Sequence, residues 1–287
     1  NGVAIEYMIQ LANTLHANPW ICIPHLADDD YIAQCATLIR DQLDPTLVCH
    51  IEYSNEVWNW GFQQAGYASE QGLALYPWST LETSRHLYYS DRSVNVFNIF
   101  EDVFGSANMS RLRRILAGQR GSTSAHTSAL SWNDAYLKTD AYSIAMYFGN
   151  GLVGNVSEAE VASWSVDEML DWCETSLASQ LGGATNTIAL AASFGLPTIS
   201  YEGGQHLVGF TNQTIRDTYD AANRHPRMKT IYLSMLDGWQ SAGGDLFTAF
   251  NSTMRITGTG RWGVLEYQTQ PRLEAPKFDA LMQFLER

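Results

Sequence analysis

Residues 47–59, with the sequence LVCHIEYSNEVWN, change from an apolar run to a polar segment within a few positions. The run from Leu47 to Tyr53 is short and rich in β-branched and aromatic residues, which is typical of a buried strand. A helical pattern precedes it and ends at Asp44-Pro45, and helical sequence resumes soon after it. The stretch therefore predicts a strand between two helices, with Asn55 and Glu56 directly after the carboxyl end of the strand.

The same alternation of strand and helix recurs along the chain. Apolar runs of strand length lie at 20–25, 47–53, 114–119, 141–147, 197–201 and 230–236. Amphipathic helical patterns lie around them, at 3–16, 28–43, about 60–104, 128–138, from 165 onward, 212–224 and 276–285. This alternation favours a parallel sheet covered by helices, either doubly wound or closed into a barrel. No Gly-rich phosphate loop follows any strand, which weighs against a nucleotide-binding sheet.

The number of strands favours an incomplete barrel. A complete TIM barrel has eight strands, whereas this sequence predicts six, with one helix before the first. We therefore predict an α/β chain of the (β/α)8 TIM-barrel type, in which residues 1–287 form a single catalytic domain that is incomplete at its N-terminal side. An open barrel would expose the edges of its outer strands, so we expect a homodimer that covers the open edge.

Composition and charge limit the partners. The chain of 287 residues has 45% hydrophobic and 16% charged residues and a net charge of −13, a globular and acidic composition. Such a surface repels phosphate backbones and anionic lipid, so neither nucleic acid nor a membrane is an expected partner. No apolar run reaches the roughly 20 residues needed to span a bilayer. No signal peptide opens the chain, as expected for a mature secreted protein or a fragment, and we expect an extracellular location.

Cysteine and histidine spacing gives no sign of a metal site. Cys22, Cys35, Cys49 and Cys173 include no CxxC pair, and the seven histidines show no HExxH or HxH pattern. We expect no metal and no cofactor. Buried free thiols are the expected state of the cysteines, and a bridge between Cys22 and Cys49 on neighbouring strands is the alternative.

Functional side chains of parallel barrels lie where strands end and loops begin. Those positions hold His25, Glu56, Tyr147, Glu202 and, beyond the last strand, Trp239. Hydrolysis of a glycosidic bond requires one protonated carboxyl group to assist the leaving oxygen and one ionised carboxylate to act on the anomeric carbon. Glu56 and Glu202 could supply this pair. A separation of about 5–5.5 Å would give a retaining mechanism and one of ~6.5–9.5 Å an inverting mechanism.

Several of these segments resemble motifs of the clan A glycoside hydrolases. Residues 54–59 (SNEVWN) resemble the Asn-Glu motif that closes barrel strand four in that clan, and residues 199–204 (ISYEGG) resemble the nucleophile motif of strand seven. Residues 145–149 (AMYFG) resemble the end of strand six. Residues 262–267 (WGVLEY), with 275–277 (APK) after them, resemble the closing segment of some bacterial members. The resemblance covers nearly the whole chain, as strands three to eight.

The resemblance implies a retaining enzyme with Glu56 as the acid/base and Glu202 as the nucleophile. It implies that Asn55 hydrogen-bonds the sugar 2-hydroxyl, a contact that strengthens in the transition state. It further implies that Tyr147 holds the Glu202 carboxylate. In many relatives an Arg at the end of strand two supports the nucleophile, and this chain has no candidate for it.

Aromatic and imidazole side chains are the candidate sugar-binding groups. The resemblance implies that Trp239 forms the floor under the reacting sugar and that His25 lines the same subsite. Flat aromatic faces stack on sugar rings, so the tryptophans after strand ends are also candidates. These tryptophans are Trp58, Trp60, Trp132, Trp164 and Trp239. His126 and His206 are expected in loops on the same side and are further candidates.

Two other glutamates compete for the catalytic roles. Glu52 lies four residues before Glu56 in the same strand, and we expect it to point into the barrel, paired with a buried Arg or His, in a structural role. Glu266 is a weaker candidate.

The first functional hypothesis is a retaining glycosidase acting on a β-linked oligo- or polysaccharide. The wealth of aromatic residues near strand ends favours an endo-acting β-glucanase or cellulase. The alternative is an incomplete barrel that binds glycans without turnover. A metal-dependent barrel hydrolase is a third hypothesis, which the lack of a ligand pattern disfavours.

Overall fold

The structure is a computed structural model that describes residues 2–258 and 260–287. Its strands are β1 (Trp20–Ile23), β2 (Cys49–Tyr53), β3 (Leu112–Gly118), β4 (Ala141–Phe148) and β5 (Thr198–Gln205). Its α-helices are α1 (Ile5–Leu15), α2 (Asp29–Gln42), α3 (Gln63–Leu75), α4 (Leu81–Phe104), α5 (Thr123–Ser131), α6 (Glu158–Val161), α7 (Val166–Ser193), α8 (Gln213–Arg224), α9 (Pro226–Ser241) and α10 (Pro276–Leu285). Short 3-10 helices occupy Ser106–Arg111, Trp132–Lys138 and Arg272–Glu274.

The chain divides into two compact units. Unit 1 comprises the residues up to Ser143 together with Leu190–Pro197, and unit 2 comprises Ile144–Ala189 and Thr198–Arg287.

The strands form an α/β sheet in the order of the sequence. The order is β1-β2-β3-β4-β5, and the β1–β2 and β2–β3 pairs are parallel, as predicted. In register, Trp20 lies beside His50, and Cys49 lies beside Leu112. Every residue of β2 is buried, which is the pattern of a parallel strand covered on both faces. The first five predicted strands are therefore confirmed as strands, at nearly the predicted residues.

Local sequence explains where the helices of unit 1 begin and end. The Asp28 carboxylate accepts the Tyr31 amide at 2.8 Å and so caps α2. The helical sequence predicted at 60–104 is two helices, and the second is capped by Thr80, whose hydroxyl accepts the Thr83 amide at 3.1 Å. The core of unit 1 lies between strands and helices and consists of large apolar side chains. These include Ile23, Ile32, Ile39, Ile51, Tyr53, Phe97, Phe100 and Ile115.

The prediction of a strand at residues 230–236 is wrong, because these residues lie inside α9. His225 caps this helix, and Pro226 occupies its first turn, where a missing amide hydrogen costs nothing. The buried side chains follow helical spacing rather than alternation: they are Met228, Ile231, Tyr232, Met235, Leu236 and Trp239. A short apolar run fits either a helix or a strand. Here the cap at His225 favours the helix.

A segment that the sequence did not single out pairs with β5 instead. Residues 245–250 run parallel to β5, with Ser200 beside Phe247. The Ser200 amide donates to the Leu246 carbonyl at 2.8 Å, and the Thr248 amide donates to the Ser200 carbonyl at 3.0 Å. The sixth strand-like segment therefore lies after α9 and is too short and irregular to count as a sixth strand.

Two smaller expectations are corrected. All four cysteines are free thiols, but Cys22 is exposed, whereas Cys35, Cys49 and Cys173 are buried. The helix predicted at 128–138 is α5 followed by a 3-10 segment. Among the described residues, none of the helices is both long and apolar enough to span a membrane.

Candidate functional site

Glu56 lies in unit 1, three residues beyond the end of β2. Its backbone is left-handed, with φ of 47°, and Ser54 is also left-handed, with φ of 60°. These two conformations turn the chain sharply after the strand, and the Glu56 side chain is buried, with 8% of the residue exposed. The Asn59 amide group donates to the Glu56 carboxylate at 2.8 Å. The carboxylate is therefore oriented by a neighbour in the same loop.

The two other predicted residues nearby are held through their backbones. The Asn55 carbonyl accepts a hydrogen bond from the Gln64 side chain at 2.5 Å, and the His25 carbonyl accepts one from the Tyr53 hydroxyl at 3.0 Å. Both residues are half-buried. Both bonds use backbone carbonyl groups, and the His25 ring packs edge-on against Tyr67 at 5.3 Å between centroids.

A small cavity lies beside the loop that carries Glu56. Its walls come from the loop after β2, from α4 and α5, from the end of β3 and from the start of β4, and its volume of about 10 Å³ is room for one water-sized group. The lining includes Val57, Trp58, Arg85, His86, Gln119, His126 and Tyr142. Trp58 and His126 thus line the same cavity.

His126 lies in helix α5 rather than in a loop, so that part of the prediction is wrong. It is 1% exposed, and its Nδ1 atom is bonded to the Tyr142 hydroxyl. Burial, with a smaller effect of His86, lowers the pKa of His126 to about 4, so the ring is neutral at pH 7. Gly118 is required here, because a Cβ atom at that position would lie 2.1 Å from the Tyr142 hydroxyl.

Glu52 is buried, as predicted for a structural residue. It is 1% exposed, and its carboxylate accepts the Trp20 indole N–H at 3.0 Å and lies 4.0 Å from the Cys22 sulfur. The Glu52 carboxylate therefore has an indole and a thiol as neighbours. The Arg or His partner expected from the sequence stays a prediction. Glu266, the weaker competitor, is engaged by both Arg224 nitrogens at 2.7 Å in a bidentate ion pair.

Trp132 lies apart from the strand ends. It follows helix α5, and its ring contacts Tyr76 at 5.3 Å and Trp78 at 6.2 Å between centroids. Both partners belong to the connection between α3 and α4. Trp132 is thus part of an aromatic group with Tyr76 and Trp78.

Glu202 lies in unit 2, within β5, and is half-buried. The residue after it is Gly203, where a Cβ atom would lie 2.5 Å from the Phe247 ring and 2.6 Å from the Met146 carbonyl. The glycine allows residues 245–250 and β4 to pack closely against this part of β5.

Four ring side chains of unit 2 form one cluster, which we name the ring cluster: Tyr147, His206, Phe250 and Trp262. Tyr147 contacts His206 at 4.9 Å, and His206 contacts Trp262 at 5.6 Å, between centroids. Phe250 closes the cluster, at 6.5 Å from Tyr147 and 6.1 Å from Trp262. Tyr147 and His206 were predicted as site residues, whereas Phe250 and Trp262 were not. All four are half-buried, so the cluster can present ring faces to a ligand.

The charge state of His206 follows from its neighbours. The Trp262 indole N–H donates to Nδ1 of His206 at 3.0 Å, and an indole nitrogen can only donate. Nδ1 is therefore the acceptor, and the proton lies on Nε2. Burial lowers the pKa of His206, which favours this neutral form.

The backbone before Trp262 is fixed from three directions. The Arg261 carbonyl accepts from the Gln205 side chain at 2.5 Å and from the Lys277 ammonium at 2.6 Å. The Arg261 guanidinium bonds the Asp220 carboxylate. Because Gln205 lies at the end of β5, these bonds tie Trp262 to the strand that carries Glu202.

The prediction that Trp239 follows a strand is wrong, because Trp239 lies in α9. It is 2% exposed, it packs against Phe247 at 6.0 Å between centroids, and its N–H donates to the Asp245 carbonyl at 3.3 Å. Unlike the buried Trp239, Trp262 is half-buried and contacts His206 and Phe250 within the ring cluster. Its place in a long irregular connection, rather than after a strand, explains why sequence reasoning missed it.

The described residues offer no obvious metal centre. In residues 2–258 and 260–287, no group of three or more His, Cys, Asp or Glu side chains is placed to hold a metal ion.

Comparison with known proteins gives likeness at the level of the fold. No protein-family model and no curated protein sequence matches the chain. The crystal structure of a GH51 arabinofuranosidase from Xanthomonas axonopodis pv. citri matches with a TM-score of 0.52 and 12% identity, over 87% of this chain and 49% of that protein. A 4-O-alpha-L-rhamnosyl-beta-D-glucuronidase from Fusarium oxysporum 12S matches with a TM-score of 0.55 and 14% identity, over 96% of this chain and 52% of that protein. This chain thus spans about half the length of each, and over that span it shares the fold of two glycosidases.

Proposed function

We propose that this chain belongs to a retaining glycoside hydrolase in which Glu56 is the acid/base and Glu202 the nucleophile. The observation that carries the proposal is the ring cluster of unit 2, which lies at the end of β4 and beyond β5, the strand of Glu202. Ring faces beside a carboxylate are what a sugar ring and its anomeric carbon require. Support from unit 1 is the oriented, buried carboxylate of Glu56.

The proposed reaction has two steps. The Glu202 carboxylate attacks the anomeric carbon, the bond to the leaving oxygen breaks, and Glu56 gives its proton to that oxygen. Water then attacks the glycosyl-enzyme ester, Glu56 takes the proton from the water, and Glu202 is released as a carboxylate. Asn55 is proposed to bond the 2-hydroxyl of the sugar, and Tyr147 to hold the nucleophile.

A neutral β-linked glucan is the proposed substrate, cleaved in an endo fashion as by a cellulase. The ring cluster supports a sugar ligand, and the two proteins that share the fold are glycosidases by name. His25, Trp58 and His126 of unit 1 are proposed as further sugar-binding residues. A polymeric substrate of this kind would be met outside the cell, so we keep a secreted location as part of the proposal.

Aryl β-glycosides and soluble β-glucans test the proposal directly. We expect Glu56→Gln and Glu202→Gln each to lower kcat/KM by at least about 10³-fold, because each removes a group required in the transition state. Glu70→Gln is the matched control, since Glu70 is exposed on α3. Full activity in either active-site variant would refute the assignment, and a first product with inverted anomeric configuration in proton NMR would refute the retaining mechanism.

Glycan binding without turnover is the second candidate. This alternative is favoured because the chain matches only about half of each of the two similar structures. The other half of those proteins could supply catalytic groups. Calorimetric binding of a β-glucan oligosaccharide that is left intact after long incubation would establish this alternative. Loss of that binding in Trp262→Ala would place it at the ring cluster.

A further inference from the structure

One arginine in the small cavity of unit 1 has hydrogen-bond donors that no described residue accepts. The Arg85 side chain is 3% exposed, and its Nη2 atom bonds the Glu82 carboxylate. The guanidinium lies over the Trp60 ring, with Cζ 4.3 Å from the ring centroid. Its Nε and Nη1 atoms are buried, and within residues 2–258 and 260–287 neither has a hydrogen-bond partner. Because a buried donor without an acceptor is costly, a group that enters the cavity and accepts from Arg85 gains affinity.

The cavity has a buried floor and an accessible rim. Arg85, His126 and Tyr142 line it and are each at most 2% exposed. Trp58 and Gln119 also line it, but Trp58 is half-buried and Gln119 is exposed. A ligand therefore reaches the floor from the side of Trp58 and Gln119.

The charges around the cavity favour a neutral group. Arg85 is already paired with Glu82, and the described lining residues include no carboxylate. His126 is neutral at pH 7, because burial lowers its pKa to about 4. An anion would bring a second negative charge near Glu82 without a second cation to balance it. A hydroxyl group adds no charge, and its oxygen accepts a hydrogen bond from a guanidinium.

The volume of the cavity limits the size of that group. About 10 Å³ holds one water-sized group, so neither a sugar ring nor both oxygens of a carboxylate fit inside. A secondary hydroxyl is attached directly to the sugar ring and stays close to it. The primary hydroxyl of a hexopyranose is carried on an additional carbon and reaches further. A narrow cavity with its donors in the floor therefore suits the primary hydroxyl best.

We propose that this cavity receives the primary hydroxyl group of a hexopyranose unit and that Arg85 donates a hydrogen bond to its oxygen. The inference rests on the proposed function and deepens it, because it makes Arg85 a residue that selects glucans over xylans. Xylose is glucose without the hydroxymethyl group, so a bound xylan leaves the Arg85 donors without an acceptor. A site with buried polar groups discriminates strongly against a ligand that lacks the matching group.

Calorimetry with three β-1,4-linked tetrasaccharides tests this proposal. They consist of glucose, xylose or glucuronate units, which differ only in the substituent on C5, and Glu202→Gln is the starting protein so that the ligands stay intact. We expect the glucose tetrasaccharide to bind about 10–100-fold more tightly than the xylose one, as a hydrogen bond to a charged donor supplies. Adding Arg85→Met should lower the affinity for the glucose tetrasaccharide to that for the xylose one and leave the latter unchanged.

The xylose tetrasaccharide is the internal control for folding, because a misfolded chain would lose both ligands. Ala125→Val is a second test that keeps Arg85: Ala125 lines the cavity, so the added methyl groups should lower the affinity for the glucose ligand alone. If Arg85→Met fails to fold, this variant decides. Arg40→Met is the matched control, since Arg40 pairs with Asp41 outside the cavity and should change neither affinity.

Three outcomes overturn the proposal. They are equal affinities for the glucose and xylose ligands in the starting protein, equal losses of both in a folded Arg85→Met or Ala125→Val chain, and a preference for glucuronate that depends on Arg85. Failure of the proposed function looks different: the chain with Glu202 restored would leave all three ligands intact, while the order of their affinities would still support the role of Arg85.

Discussion

The indole N–H of Trp262 donates to Nδ1 of His206 at 3.0 Å and so fixes which nitrogen of the histidine carries its proton. The bond joins a residue four positions after Glu202 to a loop some 60 residues further along the chain. It makes Nε2 a permanent donor near neutral pH, and a sugar hydroxyl is a suitable acceptor. The orientation of His206 is consequently set before any ligand binds.

We predict that Trp262→Phe weakens sugar binding while leaving the chemical step nearly unchanged. The ring face remains, but the donor to His206 is lost, so KM or the glycan Kd should rise several-fold at constant kcat. Trp262→Ala should have a larger effect, because it also removes the stacking surface. Steady-state kinetics or calorimetry measures both. Unchanged affinity in the alanine variant would exclude the ring cluster from the binding site.

We predict that His126 makes the protein less stable in acid. Its pKa is lowered to about 4, below the value near 6.5 of an unfolded chain, so the unfolded state binds more protons between these values. The free energy of unfolding should therefore fall as the pH decreases from about 6.5 to about 4, by up to about 3 kcal/mol from this group. Urea denaturation at several pH values measures the slope. The slope should be reduced in His126→Asn, and an unchanged slope would contradict the assignment.

We predict that Lys277 has a dependence of the same sign, but at alkaline pH. Its burial lowers its pKa to about 7, against about 10.4 in an unfolded chain, so the unfolded state binds more protons over this range. Stability should rise with pH from about 7 to about 10, with a slope of at most about 1.4 kcal/mol per pH unit. Lys277→Met should lose this rise. It should also loosen the Trp262 backbone, because the Lys277 ammonium bonds the Arg261 carbonyl at 2.6 Å.

We predict that Gly118→Ala destabilises the protein by about 1–3 kcal/mol. The new Cβ atom would lie 2.1 Å from the Tyr142 hydroxyl and 2.8 Å from Nδ1 of His126, so the pair would have to separate. Gly182→Ala is the matched control, because no atom lies within 4 Å of a Cβ built there, and its position inside α7 should make alanine neutral or stabilising by about 1 kcal/mol. Thermal unfolding compares the two variants. Equal melting temperatures would count against the close contact at Gly118.

Much of the fold could be predicted because strand runs and helix caps are local signals. Asp28 and the capping pair of Ser165 with Glu168 act within one helical turn, so the sequence shows them directly. The run at 230–236 carried no such information, since its apolar residues suit a helix face as well as a strand. Only the cap at His225, together with burial along α9, separates the two.

The candidate site was predicted less completely, because its contacts are distant in sequence. Glu56 and Glu202 follow apolar runs and could be found from that position alone. Trp262 could not, because its role depends on bonds to residues 56 and 15 positions away, His206 and Lys277. His126 was found for its residue type but assigned to a loop, since α5 lacks a strong amphipathic pattern.

The left-handed backbone of Glu56 means that this position suits glycine better than the residue it holds. A residue with a Cβ atom costs about 1 kcal/mol in that conformation, whereas glycine adopts it freely. Between two substitutions that both delete the carboxylate, the protein with glycine should thus melt at a higher temperature than the protein with alanine. The left-handed conformation of Glu56 therefore lowers the thermal stability of the fold, while it places a carboxyl group in a buried position.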